Sequence, residues 1–197
     1  EAAIIACASA SMGKFYKIPT HAYLGNSDSH IVDAQSGFES GLGFILAALA
    51  RVNVVSGPGM LASINCQSLE KLVLDDEICA SAYRLIDGVD IQGLEDIARL
   101  VKDVGPGGQF LTQKHTRSHV RKEHHFPSGV INRLTLDSWR EGGSKDTATR
   151  AHETALELLR LHSPRELPED AEVRLNQVFD DILSRYSIPS SGLPNPP

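Results

Sequence analysis

The sequence predicts an α/β fold, because two short apolar runs alternate with segments of helical periodicity. The runs lie within residues 17–25 and 52–56, and each leads through a loop into a segment whose apolar residues recur every three or four positions. A strand–helix–strand order implies two parallel strands joined by a right-handed crossover. Two strands cannot form a parallel sheet that is covered on both faces. The pattern therefore indicates the last βα units of a TIM-type (β/α)8 barrel, which needs eight strands and about 250 residues, followed by a helical extension.

Residues 1–111 are predicted to form these C-terminal barrel units. A buried strand is expected within Lys17–Gly25 and a second strand over Val52–Ser56. Helices are expected over Ala2–Tyr16, over Asp33–Arg51, from Ser68 to Gly88 and over Gly93–Val104. Asp33 is predicted to cap the second helix, and Phe38, which stands in the apolar stripe of that helix, is predicted to pack in the core.

Residues 112–187 are predicted to form a helical extension without a strand. Its helices are expected over Thr112–His125, Thr135–Glu141, Lys145–Leu161 and Pro168–Tyr186. Residues 188–197 hold four prolines and predict a disordered tail.

Composition excludes several classes of protein. Of 197 residues, 41% are apolar and 22% are charged, which is typical of a globular chain. Lys+Arg number 19 against 25 Asp+Glu, a net charge of −6, and this balance argues against a nucleic-acid binder. No apolar run is long enough to span a membrane. Three cysteines without a CxxC pair argue against a disulfide framework or a structural zinc site and fit a reducing cytoplasm.

The N-terminus suggests that the sequence is a piece of a longer chain. The first residues, Glu1 to Ala8, lack the basic region of a signal peptide and read as the middle of a helix.

The loop over Gly25–Gln35 is the first segment that could carry chemistry. It follows a predicted strand and precedes a helix, which is the catalytic face of a barrel. Asp28, His30 and Asp33 could place charge there or accept a proton. Its position favours a functional role for Asp28, whereas the N-cap explains Asp33. The simpler alternative is a polar loop that ends in a helix cap.

The segment Val55–Leu61 follows the second strand at the same face. Its glycines would let the backbone approach a ligand closely, although an ordinary turn is the simpler interpretation. The phosphate-loop pattern GxxxxGK[ST] is absent. A further glycine-rich segment, Val104–Leu111, could cover a site or could only end a helix.

A pair of histidines raises the question of a metal site. His115 and His119 are four residues apart and share a face if the segment is helical, as zinc ligands can. No glutamate follows His115 as it does in HExxH. A polar, solvated helix face is the favoured interpretation, and no metal ion is predicted.

Five ordered segments together resemble the trimethylamine:corrinoid methyltransferase family. They are Asn26–Ser40, Gly57–Leu61, Leu69–Asp76, Val104–Leu111 and His115-Thr116. Family members are longer, and the chain resembles their C-terminal part. The resemblance implies a TIM-type barrel that transfers a methyl group from a methylated amine to Co(I) of a corrinoid held by a partner protein. It also implies a cytoplasmic enzyme, and we expect a homo-oligomer.

Met60 determines which methyl donor the resemblance implies. In founding members a pyrrolysine stands between the glycine and the leucine of the second segment, and Met60 occupies that position here. Methionine has no electrophilic imine to hold a methylamine. Members without pyrrolysine include enzymes that demethylate glycine betaine and related quaternary amines, whose tertiary amine product leaves without a proton. The implied donor is therefore a quaternary amine, handled without pyrrolysine.

The resemblance and the chemistry of a quaternary cation together select the candidate site residues. Asp28 and Met60 are the predicted catalytic residues. The predicted substrate-binding residues are Tyr23, Ser27, His30, Gln35, Ser56, Gly57, Gly59, Gln109, Phe110 and His115. Aromatic faces within about 6 Å of the cation would each contribute ~0.5–2 kcal/mol. Met60 could line the pocket as a soft thioether or only fill space, and rate enhancement would come mainly from alignment of the reacting atoms.

A binding module is the alternative from a different functional class. Two strands alone would leave an exposed sheet edge, and such edges recruit partners. The chain would then be a catalytically incomplete half-barrel that acts in assembly or binds a corrinoid protein.

Overall fold

The computed structural model describes residues 1–89, 91, 93–162 and 167–187, so the predicted tail over residues 188–197 lies outside the described residues. The helices are α1 (Ala2–Tyr16), α2 (Ala34–Leu49), α3 (Leu69–Asp87), α4 (Leu94–Val104), α5 (Lys114–Glu123), α6 (Leu136–Glu141), α7 (Thr147–Leu161) and α8 (Glu169–Arg185). The strands are β1 (His21–Tyr23), β2 (Val54–Ser56), β3 (Met60–Leu61) and β4 (Cys66–Gln67). The chain is thus an α/β protein dominated by helices.

Strands β1 and β2 pair in parallel, as the strand–helix–strand order predicts. Their register sets His21 against Val54 and Tyr23 against Ser56. On one face of this pair, Ala22 packs with Leu24 and with residues of the helices in a small buried core. On the other face Tyr23 is 56% exposed and Val54 is 55% exposed. The prediction of a buried first strand is therefore correct for one face only.

Helix α2 begins with a capping box. The side chain of Asp33 accepts a hydrogen bond from the amide of Ser36, and the Ser36 hydroxyl accepts one from the amide of Asp33, both at 2.9 Å. The two bonds satisfy backbone donors that a helix start leaves free. The predicted cap at Asp33 is therefore confirmed.

The buried face of α2 consists mainly of small residues: Ser36, Ser40, Gly43, Phe44 and Ala47. An added Cβ at Gly43 would overlap the carbonyl oxygen of Leu24, so the helix backbone lies directly against the chain that leaves β1. Phe38 is 68% exposed, and its predicted place in the core is wrong. The reason is that a second stripe of helical spacing, made mainly of small side chains, allows the closer approach to the strands.

A short antiparallel hairpin, β3–β4, lies between β2 and α3 and has no counterpart in the sequence prediction. Met60 is paired with Gln67, and Leu61 with Cys66. The turn between them holds Ala62, Ser63 and Ile64 at φ values of 51°, 53° and 67°. Residues other than glycine seldom adopt this left-handed conformation. Glycine usually marks such a turn in a sequence, and this turn has none. Helix α3 then begins at Ser68, whose side chain accepts from the amide of Lys71, as predicted.

The later helices follow the predicted order. Among the described residues after Phe110 there is no strand. Helix α7 buries Ala151 and Ala155, and its His152 bonds Glu70 of α3 at 2.8 Å. Together with Ser68, this contact lowers the pKa of Glu70 to about 2.

By internal contacts the chain divides into two units, residues 1–159 and residues 160–197. The described part of the second unit is mainly α8. None of the helices within the described residues has the length and apolar character needed to cross a membrane.

Two glycines of α2 provide a test of the close approach to β1. Gly43→Ala should destabilise the fold by about 1–3 kcal/mol, because the new methyl group would displace the backbone at Leu24. Gly41→Ala, on the same helix with nothing within 4 Å of the new Cβ, should instead stabilise it by roughly 0.5–1 kcal/mol. Urea unfolding followed by circular dichroism measures both. Equal effects of the two substitutions would contradict the packing described here.

Candidate active site at the carboxyl ends of β1 and β2

The loop after β1 and the hairpin after β2 are joined by backbone hydrogen bonds. The amide of Ser27 donates to the carbonyl of Met60 at 3.0 Å, and the amide of Ala62 donates to the carbonyl of Ser29 at 2.8 Å. The amide of Gly25 donates to the carbonyl of Ser56 at 3.1 Å. These bonds bring six predicted site residues close together: Ser27, Asp28, Ser56, Gly57, Gly59 and Met60.

Asp28 is exposed at the surface of this loop and is held from two sides. Its carboxylate accepts a hydrogen bond from the Ser63 hydroxyl at 2.7 Å. Its amide donates to the carboxylate of Glu39 at 2.8 Å. The left-handed turn of the hairpin thus supplies the hydroxyl that orients Asp28. A fixed carboxylate in this place can attract a cation without a hydrogen bond to it.

Glu39 is the centre of the polar contacts in the loop, and the sequence analysis missed it. Its carboxylate accepts from the hydroxyl of buried Ser27 at 2.6 Å and from the side-chain amide of Gln35 at 2.9 Å, besides the amide of Asp28. The spacing of four between Gln35 and Glu39 could have indicated a shared helix face. Predicted substrate-binding residues Ser27 and Gln35 therefore both contact Glu39.

The hydrogen bond from Ser27, helped by Gln35 and the Asp28 amide, holds the pKa of Glu39 below its usual range. These bonds favour the ionised form. Because the pKa is lower in the folded state, the stability that Glu39 contributes is present above the unfolded pKa of about 4.3. It is lost as the pH falls through the folded pKa.

Gly57 and Gly59 are required by the backbone of the second loop. Their φ angles are +104° and +78°, and a Cβ at Gly57 would lie 2.8 Å from the amide nitrogen of Asn26. At the start of the hairpin, the amide of Met60 donates to the carbonyl of Gly57 at 3.0 Å. The two glycines thus permit the tight path that leads to half-buried Met60.

A buried ion pair lies beneath the two loops. Lys71 and Asp75 are both fully buried, one helical turn apart on α3, and their charged groups are within 2.7 Å. The carboxylate of Asp75 accepts from the amide of Gly59 at 2.7 Å. The ammonium group of Lys71 donates to the Ser40 hydroxyl at 2.6 Å and to the carbonyl of Gly25 at 3.4 Å. Burial raises the pKa of Asp75, while Lys71 and the Gly59 amide oppose that shift.

In the sequence analysis, Lys71 and Asp75 stand only within a predicted helix and within the segment Leu69–Asp76, and neither is assigned a role. Their spacing of four on a helix was the available signal. Nothing in the local sequence indicates that the pair is buried.

The exposed face of β1 and β2 carries a second group of side chains. The imidazole Nε2 of His21 lies 2.7 Å from the Ser56 hydroxyl. The His21 ring also meets the Tyr23 ring edge to face, with centroids 5.2 Å apart. Tyr23 and Ser56 were predicted from the sequence, whereas His21, which contacts both of them, was missed. Alternation along β1 places His21 and Tyr23 on the same face and could have identified it.

The remaining predicted residues are placed differently. His30 is exposed in the loop after β1. The contacts found for Gln109 and His115 lie within residues 109–119: the Gln109 carbonyl accepts from Thr112, and the His115 ring stacks on His119 with centroids 4.1 Å apart. Phe110 is 39% exposed. Within the described part of the chain, no group of three or more His, Cys, Asp or Glu side chains could hold a metal ion.

Removal of the Ser27 hydroxyl tests the contacts of Glu39. In Ser27→Ala, the Glu39 carboxyl loses its shortest hydrogen bond, and its pKa should rise toward the usual range of a glutamate. A pH titration of the side-chain carboxyl ¹³C resonance measures this. Ser11→Ala, which removes an exposed hydroxyl bonded to the Cys7 carbonyl on α1, is the control and should leave the pKa of Glu39 unchanged. The same Glu39 pKa in wild type and Ser27→Ala would contradict the assigned contact.

Comparison with known proteins identifies relatives. Residues 1–185 match the family model described as Trimethylamine methyltransferase (MTTB). The chain is 28% identical, over 97% of its length and 38% of the relative, to trimethylamine methyltransferase MttB of Desulfitobacterium hafniense. It is 34% identical, over 89% of its length and 36% of the relative, to glycine betaine methyltransferase of another strain of that species. It is 32% identical, over 88% of its length and 35% of the relative, to trimethylamine methyltransferase MttB of Methanosarcina thermophila.

The chain spans little more than a third of the length of the curated relatives it matches. The family model nevertheless covers nearly all of the chain, including both of the loops that meet beside Asp28. This match confirms the resemblance carried by the five ordered segments. The chain belongs to the trimethylamine methyltransferase (MTTB) family.

Proposed function

We propose that the chain is the C-terminal part of a methyltransferase that transfers a methyl group from a quaternary amine to Co(I) of a corrinoid carried by a partner protein. The relatives named trimethylamine methyltransferase and glycine betaine methyltransferase support a methylated amine as donor. The observation that carries the proposal is the meeting of two loops at the carboxyl ends of parallel strands, where Asp28 and Met60 lie. That edge is where ligands bind in α/β proteins.

The uncovered face of β1 and β2 supports a TIM-type barrel for the complete protein. In such a barrel the helices lie outside and the other face of each strand points inward. The helices here pack on the Ala22 face, while Tyr23 and Val54 are exposed on the opposite face. The remaining strands would come from a longer chain or from another copy. Residues 1–111 would then contribute barrel units and residues 112–187 a helical extension.

The chain's own side chains suit a quaternary cation. A quaternary nitrogen neither donates nor accepts a hydrogen bond, so it must be held by charge and by aromatic faces. Asp28, oriented by Ser63, supplies the negative charge, and Tyr23 supplies an aromatic ring on the inward face. With Ser27, His30, Gln35, Ser56, Gly57, Gly59, Gln109, Phe110 and His115, these residues form the proposed substrate site.

Met60 would line the site as a soft, uncharged side chain. It carries no imine and forms no adduct with the amine, and the tertiary amine product needs no proton to leave. The corrinoid would supply Co(I) as the nucleophile for the methyl group. The residues of this chain would align the methyl group and keep its nitrogen in place.

A cytoplasmic location and a homo-oligomer belong to the same proposal. Cys7, Cys66 and Cys79 are all free thiols, which suits a reducing compartment.

The second candidate function is a half-barrel that binds another copy or a corrinoid protein without catalysis, and the uncovered sheet face favours it. A monodisperse monomer by light scattering would contradict the oligomer and the binding of another copy. Absence of binding to a corrinoid protein as well would contradict the second candidate.

Visible absorbance of cob(I)alamin tests the reaction. With the purified protein, trimethylamine, glycine betaine, proline betaine and carnitine are offered in turn, and formation of methylcob(III)alamin is followed. We expect turnover with one quaternary amine and none with trimethylamine. If no amine is turned over, the measurement is repeated with the protein extended upstream to the length of its relatives. Failure of the extended protein as well would contradict the proposed activity.

Asp28→Asn tests the charge at the site. Loss of an exposed carboxylate beside a bound cation should cost about 1 kcal/mol, which corresponds to a roughly fivefold higher KM for the quaternary amine. The kcat should change little, because the carboxylate binds the cation before and during the reaction. Asp96→Asn, which removes an exposed carboxylate on α4, is the matched control. An unchanged KM in Asp28→Asn would argue against the carboxylate as the cation's partner.

A further inference from the structure

Lys71 and Asp75 neutralise each other's charge, and they also form hydrogen bonds with groups outside the pair. Both side chains are fully buried, and each charge needs an opposite charge and hydrogen bonds to compensate for lost hydration. Replacement of such a pair by apolar residues of similar volume is often neutral or stabilising. A contribution to the stability of the fold is therefore a weak explanation for the presence of this pair. What it does locally is bind backbone groups of the two loops that follow β1 and β2.

The first of these backbone groups lies next to Met60. The amide of Gly59 donates to Asp75 at 2.7 Å, in addition to the bonds that Met60 makes with Gly57 and Ser27 on its other sides. Gly59 also lies so close to α3 that a Cβ there would be 3.1 Å from the Cβ of Leu72. Helix α3 thus fixes the peptide that precedes Met60.

The second backbone group lies at the base of the loop that carries Asp28. The carbonyl of Gly25 accepts from the Ser40 hydroxyl at 3.1 Å and from Lys71 at 3.4 Å. Ser40 also accepts from Lys71 at 2.6 Å. One ion pair on α3 therefore contacts both loops, directly or through a single hydroxyl on α2.

We propose that the buried Lys71–Asp75 pair positions Met60 relative to the loop of Asp28. Asp75 holds the peptide before Met60, Lys71 holds the base of the other loop, and their mutual attraction keeps the two anchoring points together. Lys71 and Asp75 are positioning residues that do not touch the substrate. The functional part of this inference rests on the proposed methyltransferase site, but the positioning itself can be measured without activity.

The methionine content of the chain makes the measurement direct. The sequence holds only Met12 and Met60, so ¹³C-methyl labelling of methionine reports on the site and on one distant reference. Met12 is 54% exposed on α1. Met12→Leu and Met60→Leu assign the two resonances. Hydrogen exchange at the Gly59 amide reports on its bond to Asp75, and in the wild type this amide should be protected.

Two double variants isolate the bond to Gly59. Lys71→Leu/Asp75→Leu, the Leu variant, removes both charges and the acceptor. Lys71→Leu/Asp75→Asn, the Asn variant, removes the charges but keeps an amide oxygen in the place of the carboxylate. In the first variant the Met60 methyl resonance should shift and exchange at Gly59 should accelerate about tenfold or more. In the second, exchange at Gly59 should stay near wild type because an acceptor remains, whereas the Met60 resonance should still shift, by less than in the first, because Lys71 no longer holds the base of the Asp28 loop. Asp96→Asn, which breaks an exposed pair with Arg99 on α4, should change neither.

An unchanged Met60 resonance and Gly59 exchange in the folded Leu variant would overturn the proposal. If that variant does not fold, hydrogen exchange in the wild type still tests the proposal. An unprotected Gly59 amide there would show that Asp75 does not hold it. The Met12 resonance must stay constant throughout, and a shift of both methionines would show a general structural change instead of positioning.

Kinetics separate this inference from the proposed function. The Leu variant should lower kcat about tenfold or more with KM nearly unchanged, since misalignment affects the reaction more than binding. The Asn variant should restore kcat in part, because it keeps the acceptor for the Gly59 amide but lacks the anchor that Lys71 supplies. Spectroscopic changes together with no methylation of cobalamin by the extended protein would support the positioning and contradict the function. Methyl transfer that is equal in the Leu variant and the wild type would contradict the positioning.

Discussion

The buried ion pair between Lys71 and Asp75 is the contact on which the arrangement of both loops depends. Its two charges lie on one helix and reach different loops, Asp75 through the amide of Gly59 and Lys71 toward Ser40 and Gly25. A separated charge at this depth would be unhydrated and unpaired, which is far less favourable than the pair. The two loops are therefore placed with respect to the same turn of α3, even though they follow different strands.

The second constraint is the close approach of α2 to the chain that leaves β1. Small residues, with Gly43 against the Leu24 carbonyl, let the helix backbone lie on the strands. The helices consequently occupy one face of the parallel pair, and His21 and Tyr23 remain on the other. Charged and polar groups then collect at the carboxyl ends of β1 and β2. There Glu39 of α2 orders the loop of Asp28, and the turn of the hairpin contributes Ser63.

Much of the secondary structure was predictable because its signals are local. Asp33, Ser68 and Gly88 mark helix ends through hydrogen bonds or dihedral angles within a few residues. Other features were missed for equally physical reasons. Helix α2 has two stripes of helical spacing. The stripe that holds Phe38 and most of the large side chains is exposed, and the stripe of mainly small residues, with Phe44, is buried. The β3–β4 hairpin has two-residue strands and a left-handed turn without glycine. Neither periodicity nor a turn residue therefore predicts it from the sequence.

Sequence patterns alone predict the order of the helices and of β1 and β2, the family, and the two segments that hold Asp28 and Met60. Helix caps, periodicity and ordered motifs are properties of neighbouring residues, so they can be recognised without knowledge of the packing. The packing of the elements brings Glu39 to Ser27, brings His21 into contact with Tyr23 and Ser56, and buries Lys71 and Asp75 beneath both loops. Most of these contacts join residues far apart in sequence, and burial depends on which helix face reaches the strands, which local patterns do not specify.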